Sequence, residues 1–472
     1  MNVFYVHYLL GIILPTSLKL ARFEYNEHLD QNIMASETAM QTDQLSDVES
    51  LNGGNMKTVD SFSTVMQTLC EIRREITTKL LNKEKVPEKL VTAIENIKNA
   101  IEAKMNPKHS ITLALDTGME MQFNVRDELA GLEKDLKFLQ YVQSGFKSAD
   151  SFLDFLASSH PHGKKRFYNE VAQLEYMLMR RVTDGLDVFI TDWDGTYKTY
   201  CCNYRTSVQP AYSAYWLSLF AKKCAPMSAV LTAGPLRDFG ILDLIAVPAE
   251  KSGIIFGGSW GREWLIKGKR MVNKSYFCAA SEIQLKDLAT KLSDMINAKP
   301  EYHRFLFTGS GFQKKVDRVT IGVQTVKNDV SEEEINAFLD SVNQVVQELD
   351  PHSEIFVQHK ERLDIEIILK TTTQGTWSKA EGIKYLLDML EIPASNRSIW
   401  ICGDTVSDLP MVQYAIQANR AGTIVTFVSP PAEVMQFLVE TARPDGYCIV
   451  GCPEVIHVAM ARVLRKCGAL TT

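Results

Sequence analysis

The chain of 472 residues lacks several features that would assign it to a common protein class. Its nine cysteines include no Cys-x-x-Cys pair, and the adjacent Cys201 and Cys202 do not have the spacing of a structural zinc site. This odd and irregular set excludes a disulfide framework and predicts free thiols in a reducing compartment, which favours the cytoplasm. A net charge of −6 and the lack of a basic stripe argue against nucleic acid as a partner.

Long apolar runs are also scarce, and residues 3–20 form the main candidate. This run resembles the apolar part of a signal peptide, but no Lys or Arg precedes it, Pro15 interrupts it, and no clean cleavage site follows. The sequence therefore favours a disordered or alternative start over secretion or anchoring, and it predicts no membrane partner. Residues 23–60 are rich in Glu, Asp, Ser, Asn and Gln, which is typical of a disordered linker.

Apolar residues at helical spacing dominate residues 61–185, which predicts an all-α helical bundle. Within residues 62–80 the apolar positions recur at intervals of three and four over five turns. Further helical patterns cover residues 90–101, 126–142, 152–156 and 167–182. None of them places a nucleophile beside a base or spaces His and Glu as metal ligands. We therefore interpret this region as an assembly module, in which the amphipathic helix 62–80 contacts a partner helix or a second copy of the chain.

Strand-like and helix-like segments alternate from about residue 186, which predicts a doubly wound parallel sheet of the Rossmann type in an α/β core. Core helices are predicted at 210–223, 236–245, 379–390 and 409–418. The alternation is interrupted by strand-like segments at 305–308, 318–324, 354–358 and 363–370. The expected organisation is a leader and linker over 1–60, a helical bundle over 61–185, a core built from 186–261 and 373–472, and an inserted α+β cap over 262–372.

Two acidic pairs at the ends of apolar runs carry most of the functional information. The first run ends in the pentapeptide DWDGT, which contains Asp192 and Asp194, and the second ends in Gly-Asp, with Asp404 and Asp408 four residues apart. Residues i and i+2 of an extended segment point to the same side, so Asp192 and Asp194 are expected to face one cleft. Crowded carboxylates are unfavourable unless a cation offsets their repulsion, and Mg²⁺ prefers oxygen ligands. We therefore predict that all four carboxylates bind Mg²⁺ at the carboxyl edge of the sheet.

With one hydroxyl and one cation, these carboxylates provide the groups needed for phosphoryl transfer through a covalent intermediate. Asp192 is predicted to be the nucleophile. Asp194 is predicted to protonate the departing sugar oxygen and then to deprotonate the hydrolytic water. Thr232 follows an apolar run and could donate a hydrogen bond to a phosphoryl oxygen. Lys379 lies at a predicted helix start, where a cation is unfavourable unless it meets an anion.

The order of these motifs resembles the four-motif signature of the haloacid-dehalogenase superfamily over about residues 187–459. Asp-Gly after Trp193 distinguishes the chain from the P-type ATPases, which have Lys-Thr-Gly after the nucleophile. The α+β insertion lies between the second and third motifs, which is the C2-type cap position typical of members that dephosphorylate sugars. The resemblance implies a Mg²⁺-dependent phosphoric monoester hydrolase that acts through an aspartyl-phosphate.

Within this superfamily the chain is similar to the trehalose-6-phosphate phosphatases, in particular the nematode type with an N-terminal helical extension. The segments that carry this similarity are 311–321, 363–367 and 378–381. The resemblance implies trehalose 6-phosphate as the substrate. Because a disaccharide offers many hydroxyl groups, its recognition requires a polar, enclosing surface. The candidate cap residues for contacts with its hydroxyl and phosphate groups are Gln313, Lys314, Lys315 and Glu366.

The chain departs from the family pattern at several positions. Gln313 stands where an acidic residue is usual, Ser259-Trp260-Gly261 replaces the usual His-Gly, and residues 197–207 form a long insertion after the first motif. Two alternatives therefore remain: a related C2-cap phosphatase acting on sucrose phosphate, mannosylglycerate phosphate or another sugar phosphate, and an inactive scaffold protein. Every catalytic position holds the required residue type, which argues against the scaffold.

Overall fold

The computed structural model describes residues 56–115, 117–146, 149–275, 277, 279–370 and 377–470. The apolar run at 3–20 and nearly all of the predicted linker lie outside these residues. Among the helices within the described ranges, none combines the length and the apolar character needed to cross a bilayer.

The N-terminal domain contains the predicted helices and a β-hairpin that the sequence did not reveal. Its elements are α1 (Val59–Leu81), α2 (Glu88–Glu102), β1 (Ser110–Ala114), β2 (Glu120–Asn124), α3 (Arg126–Gln143), α4 (Ala149–Ala157) and α5 (Gly163–Asp184). Thr58 caps α1, because its hydroxyl accepts a hydrogen bond from the backbone N–H of Ser61. Each hairpin strand has only five residues. The alternation of apolar and polar residues that marks a strand cannot be recognised over so short a segment between long helical patterns.

The α/β core begins with three parallel strands and then turns back. The elements are β3 (Val188–Thr191), α6 (Ala211–Lys223), β4 (Met227–Leu231), α7 (Ile241–Leu244), α8 (Ala249–Ser252), β5 (Ile254–Gly258), β6 (Glu263–Ile266) and β7 (Lys269–Val272). The helix predicted over 236–245 is reduced to one turn, because Asp238 and Phe239 adopt positive φ. The β6–β7 hairpin pairs with β5, so the core sheet extends beyond the predicted cap boundary at residue 262.

The cap is an antiparallel sheet covered by two helices on one face. Its elements are α9 (Ala279–Ala298), β8 (Phe312–Lys314), β9 (Arg318–Gly322), α10 (Glu332–Leu349), β10 (Phe356–Lys360) and β11 (Asp364–Leu369), with strand order β10-β11-β9-β8. Val319, Ile321 and Ile367 face the helices in the cap's hydrophobic core. The strand predicted at 305–308 is wrong, because Pro300–Leu306 forms a 3₁₀ helix and Phe305 stacks on Phe338 at 4.0 Å.

The second half of the core completes an eight-stranded sheet. Its elements are α11 (Lys379–Met389), β12 (Ile399–Gly403), α12 (Leu409–Asn419), β13 (Thr423–Val428), α13 (Ala432–Thr441), β14 (Tyr447–Val450) and α14 (Pro453–Lys466). The strand order is β14-β13-β12-β3-β4-β5-β6-β7, with all neighbours parallel up to β5. The predicted α/β core with an inserted cap is thereby confirmed. Because β3, β4 and β12 are adjacent and parallel, the residues that follow them meet at one edge.

The helical domain packs closely on the core. The apolar stripe of α1 predicted to contact a partner helix is buried within the chain, with Phe62, Leu69 and Ile76 inaccessible to solvent. Phe138 of α3 contacts Trp216 of α6 edge-on at 6.1 Å. Lys134 of α3 forms a buried ion pair with Glu454 of α14, at 2.7 Å. This stripe is therefore occupied by the chain itself and is not free for a second molecule.

Candidate active site

Three carboxylates from two sheet strands converge at the carboxyl edge. Asp192 directly follows β3, and its backbone N–H donates to the carbonyl of Cys402 in β12 at 3.0 Å. Asp404 directly follows β12, and Asp408 lies in the next turn. One carboxylate oxygen from each of Asp192, Asp404 and Asp408 lies within 4.8 Å of the other two. The structure thus brings together three of the four carboxylates that the sequence singled out.

The electrostatics of this cluster favour a cation. Burial raises the pKa of Asp192 to about 7, although the Lys379 ammonium opposes the shift. Burial and the neighbouring Asp192 and Asp408 raise the pKa of Asp404 to about 9. These shifts mean that full ionisation of the three buried carboxyl groups is unfavourable, because one ammonium does not compensate for three negative charges. A divalent metal ion with its preference for oxygen ligands fits these residues.

Lys379 occupies the position that the sequence marked as unusual. It is the first residue of α11, whose N-cap is Ser378. Its Nζ lies 2.5 Å from Asp192 Oδ1 and 2.6 Å from Asp408 Oδ1. Burial would lower the pKa of Lys379, but Asp192 and Asp408 hold it above its ordinary value. The anion that offsets a cation at this helix start is therefore supplied by two carboxylates of the protein.

Asp194 lies apart from the three-carboxylate cluster. Its Oδ1 forms an ion pair with Lys198 Nζ at 3.2 Å, and its side chain is 22% exposed. The argument that residues i and i+2 share a side fails here, because β3 ends at Thr191 and the chain then turns at Gly195 with φ of 82°. The structure therefore places the Asp194 carboxylate outside the group of three carboxylates that could hold a metal ion.

Two further residues of the site were not identified from the sequence. Thr196 Oγ1 lies 3.0 Å from Asp192 Oδ2 and 3.1 Å from Asp404 Oδ1. The Tyr200 hydroxyl donates to Asp404 Oδ2 at 3.0 Å. A Cβ atom on Gly195 would clash with the Asp404 carboxylate and the Tyr200 ring, so this close approach requires glycine. Thr196 could have been noticed within the first motif, whereas no local signal marks Tyr200.

Thr232 lies at the end of β4, beside β3, as the sequence predicted. Its hydroxyl accepts a hydrogen bond from the backbone N–H of Gly234 at 3.1 Å, and a hydroxyl that accepts one bond can also donate its own proton. Its carbonyl accepts from the backbone N–H of Trp260 at 3.1 Å. Trp260 has φ of 59°, and its ring centre is 5.9 Å from Lys379 Nζ and 5.3 Å from Arg318 Cζ of the cap. This aromatic side chain thus lies between the catalytic edge and the cap.

The candidate substrate-binding residues of the cap divide between the two faces of its sheet. Gln313 of β8 pairs with Thr320 of β9, and Thr320 pairs with Glu366 of β11, so these three residues form a row across the sheet. This face lies opposite the one that packs on the cap helices. Lys315 Nζ is 3.3 Å from Glu366 Oε1 on the same side. Lys314 is exposed and its neighbour across the strand is Val319, so the structure separates it from the other candidates.

A buried arginine that the sequence analysis omitted completes this face. Arg318 bonds to Asp317 and donates to Glu366 Oε2 at 2.8 Å. Although burial opposes the shift, Lys315 and Arg318 lower the pKa of Glu366 to about 2. Glu366 is therefore charged at neutral pH. It orients Lys315 and Arg318 on this face of the cap sheet. Arg318 in turn lies beside Trp260 of the core.

Comparisons with known proteins agree with this arrangement. A family model described as "Trehalose-6-phosphate phosphatase, C-terminal" matches residues 189–456. A second model, described as "Trehalose-6-phosphate phosphatase N-terminal helical bundle domain", matches residues 58–156. Both parts of the chain on which the fold and the site depend are thus matched by models of the same family.

Several curated relatives are similar over most of the chain. A trehalose-phosphatase of Brugia malayi is 36% identical over 88% of this chain and 88% of its own length. A trehalose-phosphatase of Caenorhabditis briggsae is 32% identical over 86% of this chain and 97% of its own length. An alpha,alpha-trehalose-phosphate synthase of Aphelenchoides avenae is 30% identical over 86% of this chain, which spans 32% of that longer protein. The chain belongs to the trehalose-6-phosphate phosphatase family.

Proposed function

We propose that this protein hydrolyses trehalose 6-phosphate to trehalose and phosphate in a Mg²⁺-dependent reaction. The observation that carries the proposal is the buried cluster of Asp192, Asp404 and Asp408 with Lys379 at one sheet edge. The family and the trehalose-phosphatase names of the relatives support the substrate.

Each residue of the cluster has a chemical role in this proposal. Asp192, Asp404 and Asp408 would hold the metal ion, which would supply positive charge to stabilise the phosphoryl group. An oxygen of Asp192 attacks phosphorus, and the bond from phosphorus to the sugar oxygen breaks. Asp194 gives a proton to that oxygen. Asp194 then takes a proton from the water that cleaves the aspartyl-phosphate, which returns both carboxyl groups to their starting state.

The cap supplies the surface that recognises the sugar. Gln313, Lys315 and Glu366 occupy the sheet face opposite the cap helices, and Arg318 of this face lies beside Trp260 of the core. These charged and amide side chains can form hydrogen bonds with a ligand that has many hydroxyl groups. The charged ones are already held in position by their mutual ion pairs. Closure of the cap would exclude water during attack by Asp192, and opening would release the products.

The cellular setting follows from the thiols. All eight cysteines in the described part of the chain are free. Burial raises the pKa of several of them, including Cys402 and Cys452, which makes these thiols unreactive. We therefore propose a reducing compartment, the cytoplasm, as the site of action.

A substrate panel tests the proposed function. Phosphate release would be measured from trehalose 6-phosphate, sucrose 6-phosphate, glucose 6-phosphate and p-nitrophenyl phosphate, with and without Mg²⁺. We expect a Mg²⁺-dependent preference for trehalose 6-phosphate, and a loss of roughly 10⁴-fold in kcat for Asp192→Asn, because a carboxamide is a poor nucleophile. Activity spread evenly over the panel would remove the named substrate and favour a related sugar phosphatase. Turnover retained by Asp192→Asn would remove the mechanism.

A further inference from the structure

The insertion at residues 197–207, which we call the strap, connects three parts of the molecule. At its start, Lys198 contacts Asp194, and Tyr200 contacts Asp404. In its middle, the backbone N–H of Tyr204 donates to the carbonyl of Gly309, between α9 and β8 of the cap, at 2.9 Å. At its end, Thr206 contacts the helical domain through Glu128. Through the strap, the helical domain can therefore restrict the positions of side chains at the catalytic edge.

Two sets of polar contacts, joined by the backbone between Thr206 and Ser207, link Asp194 to the helical domain. Lys198 Nζ contacts Asp194 Oδ1 at 3.2 Å and also donates to Ser207 Oγ. The next residue back, Thr206, donates from Oγ1 to Glu128 Oε1 at 2.6 Å. The side chains of Lys198, Thr206, Ser207 and Glu128 belong to residues that are all buried. Because these side chains are buried, each hydrogen bond restricts the position of its neighbour more than a surface bond would.

The helical domain holds the residues on both sides of Ser207. Thr206 is fixed by Glu128 of α3, and the carbonyl of Val208 accepts from Arg73 Nη1 of α1 at 2.9 Å. Arg73 is itself oriented by a buried ion pair with Asp135 of α3, at 2.6 Å. Two helices thus set the position of the hydroxyl that orients the Lys198 ammonium.

We propose that the helical domain positions Asp194 for acid–base catalysis through Glu128, Thr206, Ser207 and Lys198, and that Lys198 is a positioning residue of the reaction. This inference rests on the proposed function, because the role of Asp194 is part of it. It assigns to the helical domain a part in the active site in place of the assembly role that its sequence suggested. The physical reason is that proton transfer depends steeply on the placement of the carboxyl group, and a misplacement of about 1 Å can cost about a hundred-fold in rate.

The competing interpretation is that these contacts only stabilise the domain interface. Two comparisons separate the interpretations. Thr206→Val keeps the shape but removes the hydroxyl, whereas Thr206→Ser keeps the hydroxyl. Lys134→Met breaks the ion pair with Glu454 at 2.7 Å, which joins the same two domains through side chains that are not hydrogen-bonded to the described residues of the strap. A purely stabilising role predicts equal effects on activity from Thr206→Val and Lys134→Met.

The experiment measures kcat and KM for trehalose 6-phosphate at saturating Mg²⁺, together with the thermal midpoint of each variant. We expect kcat to fall about a hundred-fold in Lys198→Met and about ten-fold in Thr206→Val and Ser207→Ala, with KM within about two-fold of wild type. Thr206→Ser and Lys134→Met should keep a kcat within about two-fold of wild type, even where Lys134→Met lowers the thermal midpoint.

Three results would overturn the inference: an unchanged kcat in Lys198→Met, equal losses in Lys134→Met and Thr206→Val, or a loss that resides in KM. Ser207→Ala, which removes a single hydroxyl, keeps the test valid where Lys198→Met does not fold. A wild-type enzyme without turnover, or a fully active Asp194→Asn, would instead overturn the proposed function and the inference with it.

Discussion

Individual charges decide the chemistry of the site more than its shape does. Asp192, Asp404 and Asp408 crowd around the single ammonium of Lys379, and burial raises the pKa of Asp192 to about 7 and that of Asp404 to about 9. A cluster of this kind is unstable as a fully charged set and becomes favourable when a cation joins it. The same imbalance that destabilises the metal-free protein therefore provides the affinity for metal.

Metal binding should consequently stabilise the folded protein. We expect Mg²⁺ to raise the thermal midpoint in a concentration-dependent manner, because it binds the folded cluster and not the unfolded chain. Asp404→Asn should abolish most of this rise and should leave the metal-free midpoint equal to or above that of wild type, because one carboxyl group of the crowded cluster is removed. Thermal unfolding followed over a Mg²⁺ titration measures both effects. An equal rise in Asp404→Asn would show that Mg²⁺ acts elsewhere.

At the scale of secondary-structure elements, strand direction and strand alternation place the functional groups. Parallel β3, β4 and β12 bring their carboxyl ends to one edge, and the antiparallel cap sheet sends alternate side chains to opposite faces. Lys314 and Lys315 are adjacent in β8 and its following turn, yet only Lys315 is buried and paired with Glu366. Two chemically identical side chains thus have different environments for a purely geometric reason.

This pair of lysines gives a matched test of the cap. Lys315→Ala should raise KM for trehalose 6-phosphate by about ten-fold while leaving p-nitrophenyl phosphate turnover within about two-fold of wild type, because the small ester has no sugar to recognise. Lys314→Ala should leave the kinetics on both substrates unchanged. Steady-state kinetics on both substrates measure the difference. Equal losses on both substrates in Lys315→Ala would place this residue outside sugar recognition.

At the scale of the whole molecule, buried polar groups join the helical domain to the core. Lys134 and Glu454 form an ion pair across the boundary. Beside them, His457 of α14 donates from Nε2 to the carbonyl of Tyr197 at 2.9 Å and lies 3.2 Å from the Tyr212 hydroxyl. Burial lowers the pKa of His457 to about 4, although Glu454 opposes the shift. The packing of α14 against Tyr197 and α6 within the core therefore requires a neutral imidazole.

The stability of the folded protein should depend on pH through this histidine. The unfolded chain binds a proton to His457 below a pKa of about 6.5, whereas the folded protein does so only near 4. The stabilisation is thus fully present above about pH 6.5 and is lost as the pH falls toward 4. Between pH 7.5 and pH 5.0, wild type should lose roughly 2 kcal/mol more unfolding free energy than His457→Gln, which does not titrate. Urea unfolding at both pH values measures this, and parallel losses would contradict it.

Much of the fold and the site could be predicted from the sequence, for reasons visible in particular residues. Apolar runs of full burial such as Val188–Thr191 and Ile399–Gly403 fit strands covered on both faces, and their alternation with helices implies a parallel sheet. The positions of Asp192, Asp404 and Lys379 follow from strand and helix ends. The hairpin β1–β2 was missed because its strands are short, and the shortening of α7 because Asp238 and Phe239 adopt positive φ. The 3₁₀ helix at Pro300–Leu306 was missed because Phe305 stacks on Phe338, which is distant in the chain.

By itself, the sequence determined the α/β core with its inserted cap, the helical domain and the residue types that point to phosphoryl transfer, because periodicity and motif spacing are local properties. Only the tertiary structure decided that Asp194 turns away from the other carboxylates to pair with Lys198, and that Tyr200 reaches Asp404. It also decided that the α1 stripe is buried within the chain and that Lys314 and Lys315 differ. These outcomes depend on contacts between residues that are distant in the sequence, and no local sequence pattern specifies such contacts.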